Sequence, residues 1–214
     1  APAARAPLFR GRVYEAEELW GHYERFLRVI LPVAEEAGVR LALHPDDPPV
    51  AALGGVPRLF GSPAGFRRGL ELAGGSPAWG LNLCLANWWA MGTDVAGAIA
   101  DFGRENRICY VHAQGVQGTV PFFRECFVDE SDCDYLEALA ALRAAGFDGG
   151  VVPGHFPELA ADDPAGRQSQ AFAVGYLRGL LRALERYQPA PGAAGLSSAP
   201  GAAPPELDFV PGPP

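Results

Sequence analysis

The sequence predicts an α/β fold, a parallel sheet covered by helices. Two observations carry this. Strand-like and helix-like segments alternate along the chain. The strand-like segments are short apolar runs rather than polar/apolar alternations, as expected of strands buried on both faces. Hydrophobic content of 49% with 20% charged residues supports an ordinary globular domain rather than a disordered chain.

The elements follow in order. From Arg12 to about Gly38 the apolar residues Leu19, Trp20, Tyr23, Phe26, Leu27, Ile30, Leu31 and Val33 recur at three- and four-residue steps. That spacing predicts a helix, with Gly38 as its stop and Pro32 as a potential kink. Val39 to His44 reads as a strand ended by Pro45-Asp46-Asp47-Pro48-Pro49. A helix over 62–73 starts with Ser62 as cap and Pro63 in its first position. Gly80 to Leu85 is a second strand, followed by a helix from about Thr93 to Arg104. Arg107 to His112 is a third strand, and Asp132 to Ala145 a helix ended by Gly146, with Asp132 as its cap. Gly149 to Pro153 is a fourth strand, and Ser169 to Tyr187 a last helix.

Residues 1–188 thus form one domain with about four strand–helix units. A closed (β/α)₈ barrel needs eight units and typically about 250 residues. The pattern therefore fits either a partial barrel of about four parallel strands with outer helices or a small open α/β sheet. Residues 189–214, rich in Pro, Ala and Gly and without periodicity, read as a disordered tail.

Charge and composition remove several function classes. The 25 acidic residues exceed the 17 basic ones, giving a net charge of −8. A sequence pI near 5.0 argues against nucleic-acid partners. Every basic residue is Arg, so Schiff-base chemistry and a Walker-type phosphate loop are excluded. No uncharged apolar run approaches the roughly 18 residues that span a bilayer, so no membrane association is expected. Ala1 to Pro7 offer no apolar signal core, and a chain of this size does not need disulfide staples. Cys84, Cys109, Cys126 and Cys133 are therefore expected as reduced thiols in a cytoplasmic protein.

The informative pattern is positional. Three of the four histidines, His44, His112 and His155, stand at or just beyond the C-terminal ends of predicted strands. Cys84 holds the equivalent place on the remaining strand. In parallel α/β folds that edge carries ligands and chemistry, and His and Cys are donors preferred by borderline-soft divalent metals. Neighbouring strands would each offer one group to a common centre. Cys109, Cys126 and Cys133 read as structural. Asp46 and Asp47, directly after His44, are placed to hydrogen-bond a ligating imidazole. Glu125 belongs to an acidic stretch before the 132–145 helix and is not accounted for by capping.

These segments resemble the mannonate dehydratase family, within the xylose-isomerase-like TIM barrels. The matching strings are LALHPDDPPVAALGGVPRLF (41–60), GLNLCLAN (80–87), YVHAQGV (110–116), FFRECFVDESDCDYLEALAALRAAGFDG (122–149) and VVPGHFP (151–157). They run in the family's order over roughly residues 12–187 and correspond to its C-terminal half.

The resemblance implies a hydro-lyase of hexuronate catabolism. It removes water from D-mannonate to give 2-keto-3-deoxy-D-gluconate with Mn²⁺ or Fe²⁺. It implies His44, Cys84 and His112 as metal ligands, the residues that the strand-end argument selects independently. It also implies His155 and Glu125 as catalytic groups, and Arg58, Asp46 and Asp47 on the substrate side. Two departures stand out. The family's Arg-Pro-Asp-His string, whose Asp is the fourth ligand, is here Val152-Pro153-Gly154-His155, and its His-Leu-Arg is His112-Ala113-Gln114. Losing an anionic ligand and two arginines weakens the grip on metal and on a substrate carboxylate. Asp46, Glu158 or a residue outside this sequence are the candidates for a replacement donor. The expected partners are a sugar acid and, because an incomplete barrel leaves sheet edges open, a second copy of the chain. A catalytically degenerate relative that folds with a partner chain, or a sugar isomerase or epimerase on the same barrel, are the alternative readings.

Overall fold

The computed structural model describes residues 7–157, 159–160 and 162–187. The expected tail over 189–214 and Glu158 lie outside them. Helix α1 (Ala16–Glu36) buries Trp20, Leu27, Leu31 and Ala34 at helical spacing, and it runs through Pro32 without ending there. Gly38, in the left-handed region at φ 64°, turns the chain into β1 (Leu41–Leu43). A minimal hairpin, β2 (Ala52–Leu53) and β3 (Val56–Pro57), follows the proline-rich turn. Helix α2 (Pro63–Leu72) has the expected Ser62 cap, whose side chain accepts from the Gly65 N–H.

Strand β4 (Trp79–Cys84) passes directly into a short helix α3 (Leu85–Ala90), and α4 (Val95–Arg104) starts at the Asp94 cap. After β5 (Ile108–His112) comes an antiparallel hairpin, β6 (Gly115–Thr119) and β7 (Phe122–Cys126). Helix α5 (Tyr135–Ala144) is capped by Asp134, not by Asp132. Asp132 instead accepts the Gly118 N–H and ties the hairpin to the helix start. Strand β8 (Val151–Val152) and helix α6 (Arg167–Arg186) complete the described chain.

β1, β4, β5 and β8 form one sheet in that order, all parallel. Each new strand is added on the same side of the last. A doubly wound open sheet reverses its strand order at a switch point, and this one does not. Steady addition is how a (β/α) barrel is built, so the fold is a partial barrel, and its four strands do not close. No helix among the described residues is long and apolar enough to cross a membrane.

The helices cover one face of the sheet. Leu81, Leu83, Ile108 and Val111 from the strands join Leu27, Phe66, Trp88, Ile99, Phe102, Leu139 and Leu177 from the helices in a single core. Trp88 stacks on Phe66 at 4.9 Å between ring centroids and meets Phe102 edge-on at 5.7 Å. The opposite face carries Asn82 and Cys84 on β4 and Tyr110 and His112 on β5, side by side in register.

A bulge sets that phase. Leu81 pairs with Ile108, but Asn82 pairs with Tyr110, leaving Cys109 as the extra residue. Side chains alternate faces along a strand, so Ile108, Tyr110 and His112 would otherwise share one face. The extra residue lets Ile108 join the core while His112 emerges beside Cys84. Gly80 makes room for it. A Cβ there would lie closer than 3.0 Å to Cys109 Sγ and to the Arg107 carbonyl oxygen.

Candidate metal centre

His44 lies one residue beyond β1, Cys84 is the last residue of β4, and His112 is the last of β5. Their donor atoms, one from each side chain, all lie within 4.8 Å of one another. The imidazole centroids are 5.3 Å apart. Donors on one tetrahedral ion, bonded at about 2.0–2.3 Å, stand about 3.3–3.8 Å apart, so an inward adjustment of up to about 1 Å brings all three onto one cation.

Each donor is held from behind. The Nδ1 of His44 lies 2.8 Å from the Pro45 carbonyl oxygen. With the proton on Nδ1 donating to that carbonyl, Nε2 carries the free lone pair, the usual arrangement around a ligating imidazole. The Nε2 of His112 stands 3.2 Å from the side-chain amide of Asn82, and Tyr110 packs edge-on at 5.5 Å. The amide oxygen of Asn82 is buried without a hydrogen-bond partner as the group is oriented. Turning the amide over lets that oxygen accept an Nε2–H, so that Nδ1 becomes the donor atom of His112.

Burial and the nearby charges of His44 and His155 lower the pKa of His112, favouring the neutral, metal-binding imidazole. Burial alone is unkind to a thiolate, and the Cys84 thiol is pushed up to about 11. Asn87 opposes this through its side-chain amide, 3.3 Å from Cys84 Sγ. Two imidazoles and a thiol that a cation would ionise fit a divalent ion of borderline softness.

His155 and Glu125 lie outside this trio and meet each other: His155 Nδ1 is 3.1 Å from Glu125 Oε1, both side chains about half exposed. Glu125 reaches that position because the acidic stretch before α5 is preceded by a hairpin, β6–β7, that the strand–helix pattern of the sequence does not mark. Asp46 does not back the imidazole of His44. One of its oxygens accepts the Phe60 N–H at 2.7 Å and the other lies 3.3 Å from Arg58 Nε. Arg58 also donates to the Asp47 carbonyl oxygen at 2.6 Å. Asp46 is thereby committed to the loop after β1 and is not among the clustered donors.

Gly154 contributes no side chain, and its place is taken. Gln114, 5% exposed, accepts the His155 N–H at 3.1 Å through Oε1. A Cβ on residue 154 would lie closer than 3.0 Å to that oxygen. All four cysteines are free thiols, and Cys126 and Cys133 are buried. Two asparagines escaped the sequence reading. Asn82 shares Cys84's face because it lies two residues earlier on the same strand, and Asn87 lies three residues on, at capping distance. Those spacings were the available signal.

Strands added in chain order, with histidine and cysteine side chains at their C-terminal ends, define a partial (β/α) barrel. In accord with this, the structure of a xylose isomerase domain protein from Alicyclobacillus acidocaldarius shares the fold at TM-score 0.62 and 20% identity, over 81% of this chain and 62% of that one. The model of the D-mannonate dehydratase (UxuA) family matches residues 6–190, and the chain belongs to the mannonate dehydratase family. Mannonate dehydratase 2 of Halalkalibacterium halodurans is 31% identical over 175 residues, 78% of this chain and 50% of that protein. The crystal structure of mannonate dehydratase from Streptococcus suis serotype 2 superposes at TM-score 0.74 and 30% identity, over 80% of this chain and 51% of the other. The chain thus spans about half the length of these relatives.

Proposed function

We propose that this chain carries the metal-binding part of a mannonate dehydratase-like lyase, removing water from a sugar acid such as D-mannonate to give 2-keto-3-deoxy-D-gluconate. The observation that supports it best is the convergence of His44, Cys84 and His112 within a chain of that family. The cofactor is a divalent metal, Mn²⁺ or Fe²⁺, held by those three side chains. When bound, such a cation polarises the substrate carboxylate and acidifies the adjacent C–H.

The remaining chemistry belongs to the protein. His155 is the acid/base group. Glu125 accepts from its Nδ1–H, fixing the tautomer that leaves Nε2 free to take a proton and return it to a departing hydroxyl. Arg58, fixed by Asp46 and the Asp47 carbonyl, supplies the cation that faces a carboxylate or hydroxyl of the substrate. The free thiols are in keeping with a reducing, cytoplasmic setting. Among the described residues the outer edges of β1 and β8 are unpaired, and a second copy of the chain is the partner proposed to cover them.

Metal analysis of the purified protein tests the core of this reading. Stoichiometric Mn, Fe or Zn is expected, and Cys84→Ala is expected to lose it. A metal-free parent, or a mutant that retains the full complement, overturns the site. Incubation with D-mannonate and assay for a keto-deoxy acid tests the reaction, and an isomerised sugar instead would mark an isomerase or epimerase. One observation favours a second reading, a relative that binds metal without turning over: Gln114 occupies the room beside Gly154. Metal without any product from a sugar acid is its signature.

A further inference from the structure

Three polar side chains are buried among the described residues: Asn87, Gln114 and Ser169. A polar group away from water is costly unless its hydrogen bonds are made. Ser169 donates to Asp162 at 2.6 Å, and Gln114 accepts from the backbone of His155. Asn87, 3% exposed, directs its amide N–H₂ at the sulfur of Cys84, 3.3 Å away. A neutral thiol is a weak acceptor, so a buried amide donating to it gains little. A thiolate accepts the same bond with charge assistance, about twice as strong. The arrangement is therefore worth most when the sulfur is ionised.

The direct passage of β4 into α3 produces this geometry. With Cys84 as the last strand residue and the cap of the helix, residue 87 returns beneath it one turn later. We propose that Asn87 is the positioning residue of the metal centre: its buried amide, 3.3 Å from the Cys84 sulfur, holds that sulfur in place towards His44 and His112, while touching neither metal nor substrate. The proposal rests on the metal-centre reading above, and its test separates the two.

The probe is Co²⁺, added to metal-stripped protein and followed by the sulfur-to-cobalt charge-transfer band, with affinity from chelator competition and thermal melts alongside. If the parent binds no Co²⁺ or shows no such band, the metal-centre reading fails and the role of Asn87 falls with it. Given the band in the parent, Asn87→Ala is expected to shift it and weaken binding about 10- to 100-fold, the range typical of partners behind a metal ligand. Asn87→Ser keeps a donor and is expected to recover part of the affinity and move the band back. Asn87→Asp places a carboxylate against the sulfur and is expected to weaken binding beyond the alanine variant. An unshifted band and parental affinity in Asn87→Ala overturn the proposal. Equal loss in the serine and alanine variants, tracking only their melting temperatures, overturns it as well, since Asn87 would then be a packing residue.

Discussion

Gly154 and Gln114 allow a sharp test of how the site departs from the four-ligand pattern that the family resemblance implies. Gly154→Asp would add the missing carboxylate, but its Cβ would approach Gln114 Oε1 closer than 3.0 Å and lie 3.3 Å from the Cβ of His112. The obstructing oxygen belongs to a buried side chain that accepts the His155 N–H. Expelling it strands a donor and an acceptor, at a cost of about 1–3 kcal/mol. For a chain of this size that corresponds to a fall in Tm of about 2–12 °C. The single variant is therefore expected to melt lower than the parent and to bind Mn²⁺ no better. Gln114→Ala clears the obstruction. In the double variant Gly154→Asp/Gln114→Ala, stability is expected to recover relative to Gly154→Asp alone. A fourth, anionic donor then tightens Mn²⁺ binding about tenfold or more. Thermal melts and Mn²⁺ titration of the parent, both single variants and the double variant form a closed cycle, whose coupling term is the quantity of interest. Additive effects, or tight Mn²⁺ binding by Gly154→Asp alone, would refute the view that Gln114 holds the fourth position shut.

Three further outcomes follow from the same geometry. Gly80→Val drives a side chain into Cys109 Sγ and the Arg107 carbonyl. It is expected to disturb the β5 bulge, lowering metal affinity and Tm together; a stable variant with parental affinity would show that the bulge does not set the phase of His112. Glu125→Gln and His155→Ala are expected to reduce kcat at unchanged metal content, because neither residue is in the donor trio, and metal analysis beside turnover checks both. Asp162 accepts from Ser169 Oγ and from the N–H groups of Gln168 and Ser169, which holds its pKa below the ordinary 3.8. Its contribution to stability is thus present above pH 3.8 and is lost as pH falls through the lower, folded-state value. Asp162→Asn is expected to lower Tm at neutral pH, and the difference from the parent should shrink in acid; a constant difference argues against the charge.

The fold class was readable because helix spacing and buried-strand runs are local signals. The helices began and ended close to where Ser62, Pro63, Gly38 and Gly146 said they would. Two features were hidden for physical reasons. The β6–β7 hairpin mixes glycine, charge and aromatics in short strands, so the sequence does not mark Glu125 as the strand residue beside His155 that it is. The bulge at Cys109 is a property of pairing between two strands, invisible in either one alone. The sequence placed His112 at a strand end correctly, but nothing in Ile108-Cys-Tyr-Val-His112 told which face it would occupy. Asp46 misled because adjacency to His44 suggested contact, whereas the prolines around it direct its carboxylate to Phe60 and Arg58.

Three adjacent strands supplying three donors also explains what the fourth strand can do. β8 pairs with β5 over only two residues, Val111 with Val151 and His112 with Val152. The chain then leaves the sheet, so Gly154 lies past the last ladder hydrogen bonds and its position depends on what packs against it. What packs there is Gln114, itself anchored because Tyr135 donates its hydroxyl to the Gln114 carbonyl oxygen from helix α5. The end of β8 is therefore fixed by a buried amide and by an aromatic from the preceding helix, where a metal-bound carboxylate would otherwise fix it. The side chain that follows, His155, is turned out to Glu125 on the hairpin. The packing of Gln114 beside Gly154 thus goes with an imidazole–carboxylate pair, His155 and Glu125, near the clustered side chains. On the proposed reading, with metal donors at the ends of β1, β4 and β5 and proton transfer at β7 and beyond β8, metal content and turnover are expected to be separable by mutation.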